Sequence, residues 1–357
     1  MDYKNNYPVK ILPKQNRLNR FAQIRRYSTI TKGTEKSLVK LPIADTLINN
    51  EHSINSTFIS LNPFFITGFT DAEGTFSCII KKNNHYRLGW RVDVVFQIGL
   101  HKKDLELLKL IKSYFGEIGS IVTFSEMCAF RVSSPEQILK KILPHFDEYP
   151  LITQKHADYL LFRDIVMLMV QGEHLKEEGL QAIVNIRASL NLGLSEVLKT
   201  AFPETNLAPR PSVPVQKIPH PDWVAGFTSG EGCFFVKINK GCNSAGVGVQ
   251  IVFQVVQHIR DEELMKSFVS YFKCGRYIKP SQKNWGYYQC TKFSDNYNII
   301  LPFFSQHPIR GEKAKDFSDW VKVAELIKKE GHLTKEGSSE IITIKAGMNK
   351  GRPLFSE

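Results

Sequence analysis

"FTDAEGTF" spans Phe69–Phe76 and "FTSGEGCF" spans Phe227–Phe234. Each octapeptide sets one carboxylate, Glu73 or Glu231, between a small residue and a glycine, and the two glutamates stand 158 residues apart. Widened to "FFITGFTDAEGTF" and "DWVAGFTSGEGCF", the two stretches share six of thirteen positions. The match continues at nearly the same offset. "VVFQIGLHKKDLELL" from Val94 answers "IVFQVVQHIRDEELM" from Ile251, and Lys155 answers Lys313. The chain is a duplication of a unit of roughly 120 residues, too long a period for a solenoid.

Each copy reads in the same order. Pro63 after Asn62, and Pro221 after His220, preset the first turn of a helix. Gly74 and Gly232 are expected to close those helices in the left-handed conformation. Alternating apolar residues then predict a strand, a loop, a returning strand, a helix with i, i+3, i+4 spacing, a second hairpin and a further helix. The order α-β-β-α-β-β-α predicts an α+β fold, two pseudo-symmetric halves with antiparallel sheets backed by helices. The expected organisation is a basic arm over 1–57, a first half over 58–170, a connector over 171–217 and a second half over 218–357. Pro203, Pro209, Pro211 and Pro214 mark the connector's tail as extended and semi-rigid.

Charge narrows the partner. Lys and Arg number 47 against 35 Asp and Glu, a net +12 that suits a polyanion. No apolar run approaches the roughly 18 residues of a membrane span. The six cysteines show no CxxC spacing, which indicates neither a zinc site nor a disulfide framework and suits a reducing compartment. Up to Lys36 there are nine basic residues and only two acids. Such a composition resembles a mitochondrial transit peptide; a disordered basic arm or a remnant of a fused upstream frame shares it.

The repeated helix carries the chemistry. Gly68 and Ala72, like Gly226 and Gly230, leave one helix face almost bare, so two such helices can meet backbone to backbone about a pseudo-two-fold axis. That packing brings Glu73 and Glu231 together in the last turn, where the macrodipole disfavours an anion and like charges repel. A cation resolves the conflict. Paired carboxylates with open coordination suit Mg²⁺, with the Ala72 and Gly230 carbonyls as candidate further ligands. Mn²⁺ or Ca²⁺ would fit the same oxygens. Such a site can generate hydroxide and stabilise a leaving phosphodiester oxygen.

"TGFTDAEGTF" and "AGFTSGEGCF" resemble the two signature motifs of the LAGLIDADG homing endonucleases, in their single-chain, two-motif form. The resemblance runs from about Ser60 to Arg352 and is nearest the fungal mitochondrial branch. "HFDEYPLITQKHADYLLF", "LNLGLSEVLKTAFPE", "TKFSD" and "IKAGMNKGR" also look like segments of those enzymes. It implies site-specific, divalent-metal-dependent hydrolysis of both strands of a long double-stranded DNA target, leaving short 3′ overhangs. It further implies a monomer that acts as a pseudo-dimer in the mitochondrial matrix. The metal-binding acids would be Glu73 and Glu231. The other acidic position of the motif, Asp71, is Ser229 in the second copy, which argues against a catalytic role for Asp71. By motif match Lys155, Lys313, Lys292 and Gln257 would organise water and scissile phosphates. Leu100 stands opposite Gln257 and Ser134 roughly opposite Lys292, so the two strands are expected to be cut at unequal rates.

Strand alternation sends Phe76, Cys78 and Ile80, and Phe234, Val236 and Ile238, to the core. The resemblance lays the opposite face along the major groove. Thr75, Ser77, Ile79, Lys81 and Asn83 are then candidate base readers in the first half, with Cys233, Phe235, Lys237 and Asn239 in the second. Arg87, Arg91, Arg276, Lys279 and Lys283 are candidate groove or phosphate contacts. Two other functions fit the fold. One is an intron maturase that binds intron RNA, a role some members combine with cleavage. The other is a DNA binder without catalysis, which leaves the paired glutamates unexplained.

Overall fold

A computed structural model of the chain describes residues 61–215, 217–240 and 247–352; the basic arm expected over 1–57 lies outside the described residues. The first half runs α1 (Pro63–Glu73), β1 (Gly74–Lys82), β2 (Trp90–His101), α2 (Leu105–Tyr114), β3 (Ser120–Phe124), β4 (Met127–Val132), α3 (Pro135–Gln137), α4 (Leu143–Glu148) and α5 (Lys155–Val170). Helices α6 (Glu177–Ser189) and α7 (Glu196–Ala201) follow. The second half repeats the plan: α8 (Pro221–Glu231), β5 (Gly232–Lys240), β6 (Val247–His258), α9 (Glu262–Phe272), β7 (Arg276–Ile278), β8 (Trp285–Cys290), α10 (Phe293–Asp295), α11 (Leu301–Gln306), α12 (Lys313–Lys328) and α13 (Lys335–Ala346). Two four-stranded antiparallel sheets result, ordered β1-β2-β4-β3 and β5-β6-β8-β7. Among the described residues no helix is long and apolar enough to cross a membrane.

Each half has its own core, centred on the strand that leaves the signature helix. Phe76 packs against Phe96, Phe146, Tyr159 and Phe162; Phe234 packs against Phe253, Phe304, Phe317 and Trp320. Each fully buried Phe side chain is worth about 1.5–3 kcal/mol relative to exposure. The cores interlock: Ile152 of the first half joins the second core, and Ala225 of α8 joins the first. Cys78, Cys128, Cys274 and Cys290 are buried thiols, and none of the five described cysteines is in a disulfide.

The signature helices begin as their sequences predict. Asn62 Oδ1 accepts the Phe64 N–H at 2.9 Å, and His220 Nδ1 accepts the Asp222 N–H at 3.1 Å. They end differently. Gly74 (φ −76°, ψ 153°) and Gly232 (φ −78°, ψ 160°) are extended, so neither closes its helix in the left-handed region. Glycine is needed there for room. A Cβ at Gly74 would lie 2.8 Å from the Thr70 carbonyl oxygen, and one at Gly232 2.6 Å from that of Thr228, because the chain passes straight from helix into strand.

The connector expected over 171–217 carries helices α6 and α7, and among the described residues no helix or strand follows α7 before α8. Helix α6 recurs as α13, 158 residues on by their first residues, and the repeat continues into Asn191 and Asn349. Both asparagines have positive φ (52° and 53°), and their Nδ2 groups donate to the Phe76 and Phe234 carbonyls at 2.8 and 3.1 Å.

Candidate active site

The bare faces of α1 and α8 meet. A Cβ on Gly68 would fall 2.9 Å from Phe227 N, and one on Gly226 2.8 Å from Phe69 N, with the Trp223 and Phe65 carbonyls nearer still. At the far end Gly230 faces Ala72 and Glu73: a Cβ on Gly230 would be 3.2 Å from Glu73 Oε1. The Glu73 carboxylate therefore lies across the end of the opposite helix. Glu73 and Glu231 are the last residues of their helices, both half-buried. Neither carboxylate makes a hydrogen bond or ion pair to a described residue. Burial pushes both pKa values above the usual carboxylate range, and the Glu73 charge raises Glu231 further. Lys313 and Lys155 oppose that rise in both.

The two lysines occupy matched places. Lys155 opens α5, and its Nζ donates to the Thr70 and Ala72 carbonyls at 2.9 and 3.2 Å. Lys313 opens α12, and its Nζ donates to the Gly230 carbonyl. Burial pushes both ammonium groups down from the usual lysine range, while Glu73 and Glu231 push them up. The Ala72 and Gly230 carbonyls, expected to be open toward a cation, are thus held by the lysines, each with a second lone pair left. Two clefts flank Glu73. One of about 620 Å³ is lined by Glu73, Lys155, Arg210 and Arg260; the other, about 570 Å³, by Glu73, Gly230, Lys103 and Lys313.

Two carboxylates without protein partners, beside backbone carbonyl oxygens, form an all-oxygen donor set. That set fits a hard divalent cation and not a thiolate-seeking metal.

Asp71 does structural work that its sequence difference from Ser229 only hints at. It is fully buried and accepts four hydrogen bonds: from Ile152 N at 3.1 Å, Thr153 N at 3.3 Å, Thr153 Oγ1 at 2.6 Å and Trp223 Nε1 at 2.9 Å. The indole comes from the other half. Burial still pushes the Asp71 carboxyl up to about 6. At the matching place Ser229 accepts only the Arg310 N–H, at 3.1 Å, and donates to Ala225 O. Phe65 stands where Trp223 does in the other copy, so the second half has no indole to satisfy and a hydroxyl suffices.

The sheet faces follow the predicted alternation. In β1 and β5 Phe76, Cys78, Ile80, Phe234 and Val236 are buried, and Ile238 is half-buried against its core. Thr75, Ser77, Ile79 and Lys81, with Asn83 just beyond the strand, are turned outward, as are Cys233, Phe235, Lys237 and Asn239. Register adds residues the sequence reading missed. Thr75 is in line with Gln97, Arg131 and Ser120, and Cys233 with Gln254 and Gln289, next to the expected Arg276. The clue was the "FQ" that both copies keep in their second strand.

The remaining candidates scatter. Arg91 is opposite Lys81 and pairs with Asp93 at 2.9 Å. Arg87 is exposed, its guanidinium donating to Leu175 O at 3.1 Å, and Lys283 is exposed in the β7–β8 turn. Lys279 turns toward α9, where its Nζ meets Glu262 at 3.3 Å. Gln257 is the penultimate residue of β6, its Oε1 accepting the His258 N–H at 2.8 Å, and Leu100 holds the equivalent place on β2. Lys292 caps α10, exposed, 3.5 Å from Asp295. The structure thus brings Glu73, Glu231, Lys155 and Lys313 within electrostatic reach of one another, while Gln257 and Lys292 make their contacts elsewhere, with His258 and Asp295. Asp104 and Asp261, which hold the lysine helices, were missed although they match in the repeat.

The model of the LAGLIDADG endonuclease family matches residues 66–166 and again 224–324. "Probable intron-encoded endonuclease 2" of Neurospora crassa is 40% identical over 316 residues, covering 81% of this chain and 68% of that protein. "Probable intron-encoded endonuclease 3" of the same organism is 37% identical over 85% of this chain and 57% of its own length. Among solved structures, the I-SmaMI LAGLIDADG homing endonuclease bound to cleaved DNA superposes with a TM-score of 0.80 at 46% identity, over 82% of this chain and 98% of that one. I-SmaMI is also known bound to uncleaved DNA in the presence of calcium ions, with a TM-score of 0.79.

Proposed function

The chain belongs to the LAGLIDADG endonuclease family and is a DNA endonuclease, and we propose that Glu73 and Glu231 form one shared site that hydrolyses both strands of a long double-stranded target. The observation that carries the proposal is the meeting of two partnerless carboxylates at facing helix ends, between two half-buried lysines. Glu73 and Glu231 would hold a divalent cation, Mg²⁺ in the cell, with the Ala72 and Gly230 carbonyls as further oxygen donors. Such an ion supplies a water nucleophile at neutral pH and stabilises the leaving oxygen. Lys155 and Lys313, already bound to those carbonyls, place positive charge beside the clefts where scissile phosphates would lie. Glu73 and Glu231 keep their negative charge once a cation replaces the missing partners.

The outward strand faces would read the target in the major groove. Lys81, Lys237, Asn83 and Asn239 suit guanine and adenine edges, and Ile79 and Phe235 suit thymine methyls. Arg91, Arg276, Arg131 and Lys283 add backbone contacts, whose loss would flatten the salt dependence of binding. A single chain supplies both halves, so the protein works as a monomer. Intron-encoded fungal relatives favour a mitochondrial setting and a role in intron homing.

The test is to incubate the protein with DNA spanning the uninterrupted host sequence, with Mg²⁺ and with a chelator. Linear product bearing short 3′ overhangs, formed only with metal, is expected. Tight binding of intron RNA with that DNA left intact would make the protein a splicing factor instead.

A further inference from the structure

Asp104 and Asp261 stand at matched positions, each closing a 3₁₀ turn (Lys102–Asp104 and Ile259–Asp261) and preceding α2 or α9. An aspartate there ordinarily caps its own helix through the N–H groups of its second or third residue. Neither does. Asp104 Oδ1 instead accepts the backbone N–H of Glu312 at 2.7 Å, and Asp261 Oδ1 accepts that of Gln154 at 2.7 Å. Glu312 and Gln154 immediately precede Lys313 and Lys155, and neither caps its helix with its own side chain. Each half therefore reaches across the boundary to cap the helix that carries the other half's lysine. Gly311 (φ 74°) makes room for this, because a Cβ there would collide with Asp104 Oδ1.

We propose that Asp104 and Asp261 are positioning residues that fix Lys313 and Lys155, respectively, in the shared site. The inference rests on the nuclease reading above. A charge-assisted hydrogen bond at a helix start also complements the macrodipole, so it fixes the first turn more firmly than a neutral cap. A lysine has a long, flexible stem, and its ammonium reaches a defined point only when its Cα is held. Reacting groups displaced by about 1 Å can lose on the order of 100-fold in rate. The crossing also sets polarity. Asp261 acts on Lys155, which holds the Ala72 carbonyl, and Asp104 acts on Lys313, which holds the Gly230 carbonyl. Loss of one aspartate should therefore slow one strand, and loss of the other should slow the opposite strand.

The experiment follows single-turnover cleavage of a duplex labelled on both strands, in Mg²⁺, with DNA affinity measured separately in Ca²⁺. Asp261→Ala and Asp104→Ala are each expected to slow one strand about 10- to 100-fold. They should leave nicks of opposite polarity and affinity within about 3-fold of wild type. Asp→Asn at either site keeps the accepting oxygen and restores most of the rate. Asp→Glu keeps the charge but moves the oxygen by one methylene, and it should give the same strand bias where the Ala variant melts too readily to assay. Equal slowing of both strands, the same strand slowed by both variants, or no rescue by Asn overturns the inference while leaving the nuclease reading intact. A wild type that cuts neither strand overturns both.

Discussion

Replacing Gly68 with Ala tests the backbone contact between α1 and α8. In a helix interior free of tertiary contact, Gly→Ala stabilises by about 1 kcal/mol. Here the new methyl would meet the Trp223 carbonyl carbon at 2.8 Å and Phe227 N at 2.9 Å, where ordinary Cβ contacts begin near 3.4 Å. These are backbone atoms of a packed helix, so no side chain can swing away. The helices must part by at least half an ångström. Overpacking of this kind costs about 1–3 kcal/mol, and a clash with main chain belongs at the upper end. Set against the propensity gain, the net loss is about 1–2 kcal/mol, which lowers the melting temperature by about 2–8 °C for a unit of this size. Gly226→Ala should cost the same, because Phe69 N and the Phe65 carbonyl carbon lie at 2.8 and 2.9 Å from its Cβ position. Once one methyl has parted the helices the second meets less resistance, so the double variant should lose less than the sum by more than about 0.5 kcal/mol. Urea and thermal unfolding of the three variants measure this. A single variant more stable than wild type, or strictly additive losses, would refute the contact.

Two buried titrating groups give opposite pH slopes. Asp71, raised to about 6, favours the folded state fully below its ordinary pKa of 3.8 and loses that contribution as pH rises through 6. Wild type should lose about 1–3 kcal/mol on this account between pH 4 and 6, a slope absent from Asp71→Asn. That variant should also be weaker at every pH, since an amide turns an N–H toward the donors from Ile152, Thr153 and Trp223. His145 behaves in reverse. Burial holds it down at about 3, between Thr67 and Tyr114, so its contribution is complete above 6.5 and falls by about 1.4 kcal/mol per unit below that. Unfolding of His145→Gln and wild type from pH 7 to 5 should diverge by about that slope; parallel curves would contradict a neutral buried imidazole.

Local pattern carried the fold because duplication let each copy check the other. The Asn-Pro and His-Pro helix starts, the small residues on α1 and α8 and the period-2 strands are all features of neighbouring residues, and the repeat at 158 residues shows each of them twice. What escaped is what joins residues far apart. Asp104 and Glu312 are remote in sequence, and nothing local says that an aspartate at a helix start will cap a different helix. Asp71 read only as a non-catalytic acid, and its structural role escaped because its four donors come from the α4–α5 turn and from Trp223 of the other half. Gly74 and Gly232 looked like left-handed caps because glycine serves both purposes, and only the Thr70 and Thr228 carbonyls reveal which applies. Lys279 lies one residue beyond β7, and its position in the pleat turned it to Glu262 rather than outward.

Cleavage of both strands requires the two glutamates to act as one site. Strand-resolved cleavage of the uninterrupted target in Mg²⁺, by wild type, Glu73→Gln and Glu231→Gln, tests this most directly. Each glutamine variant should lose double-strand cleavage. Each should also melt no lower than wild type, because it removes a half-buried charge whose ionisation the fold disfavours. Full double-strand cleavage by either single variant would contradict a shared site.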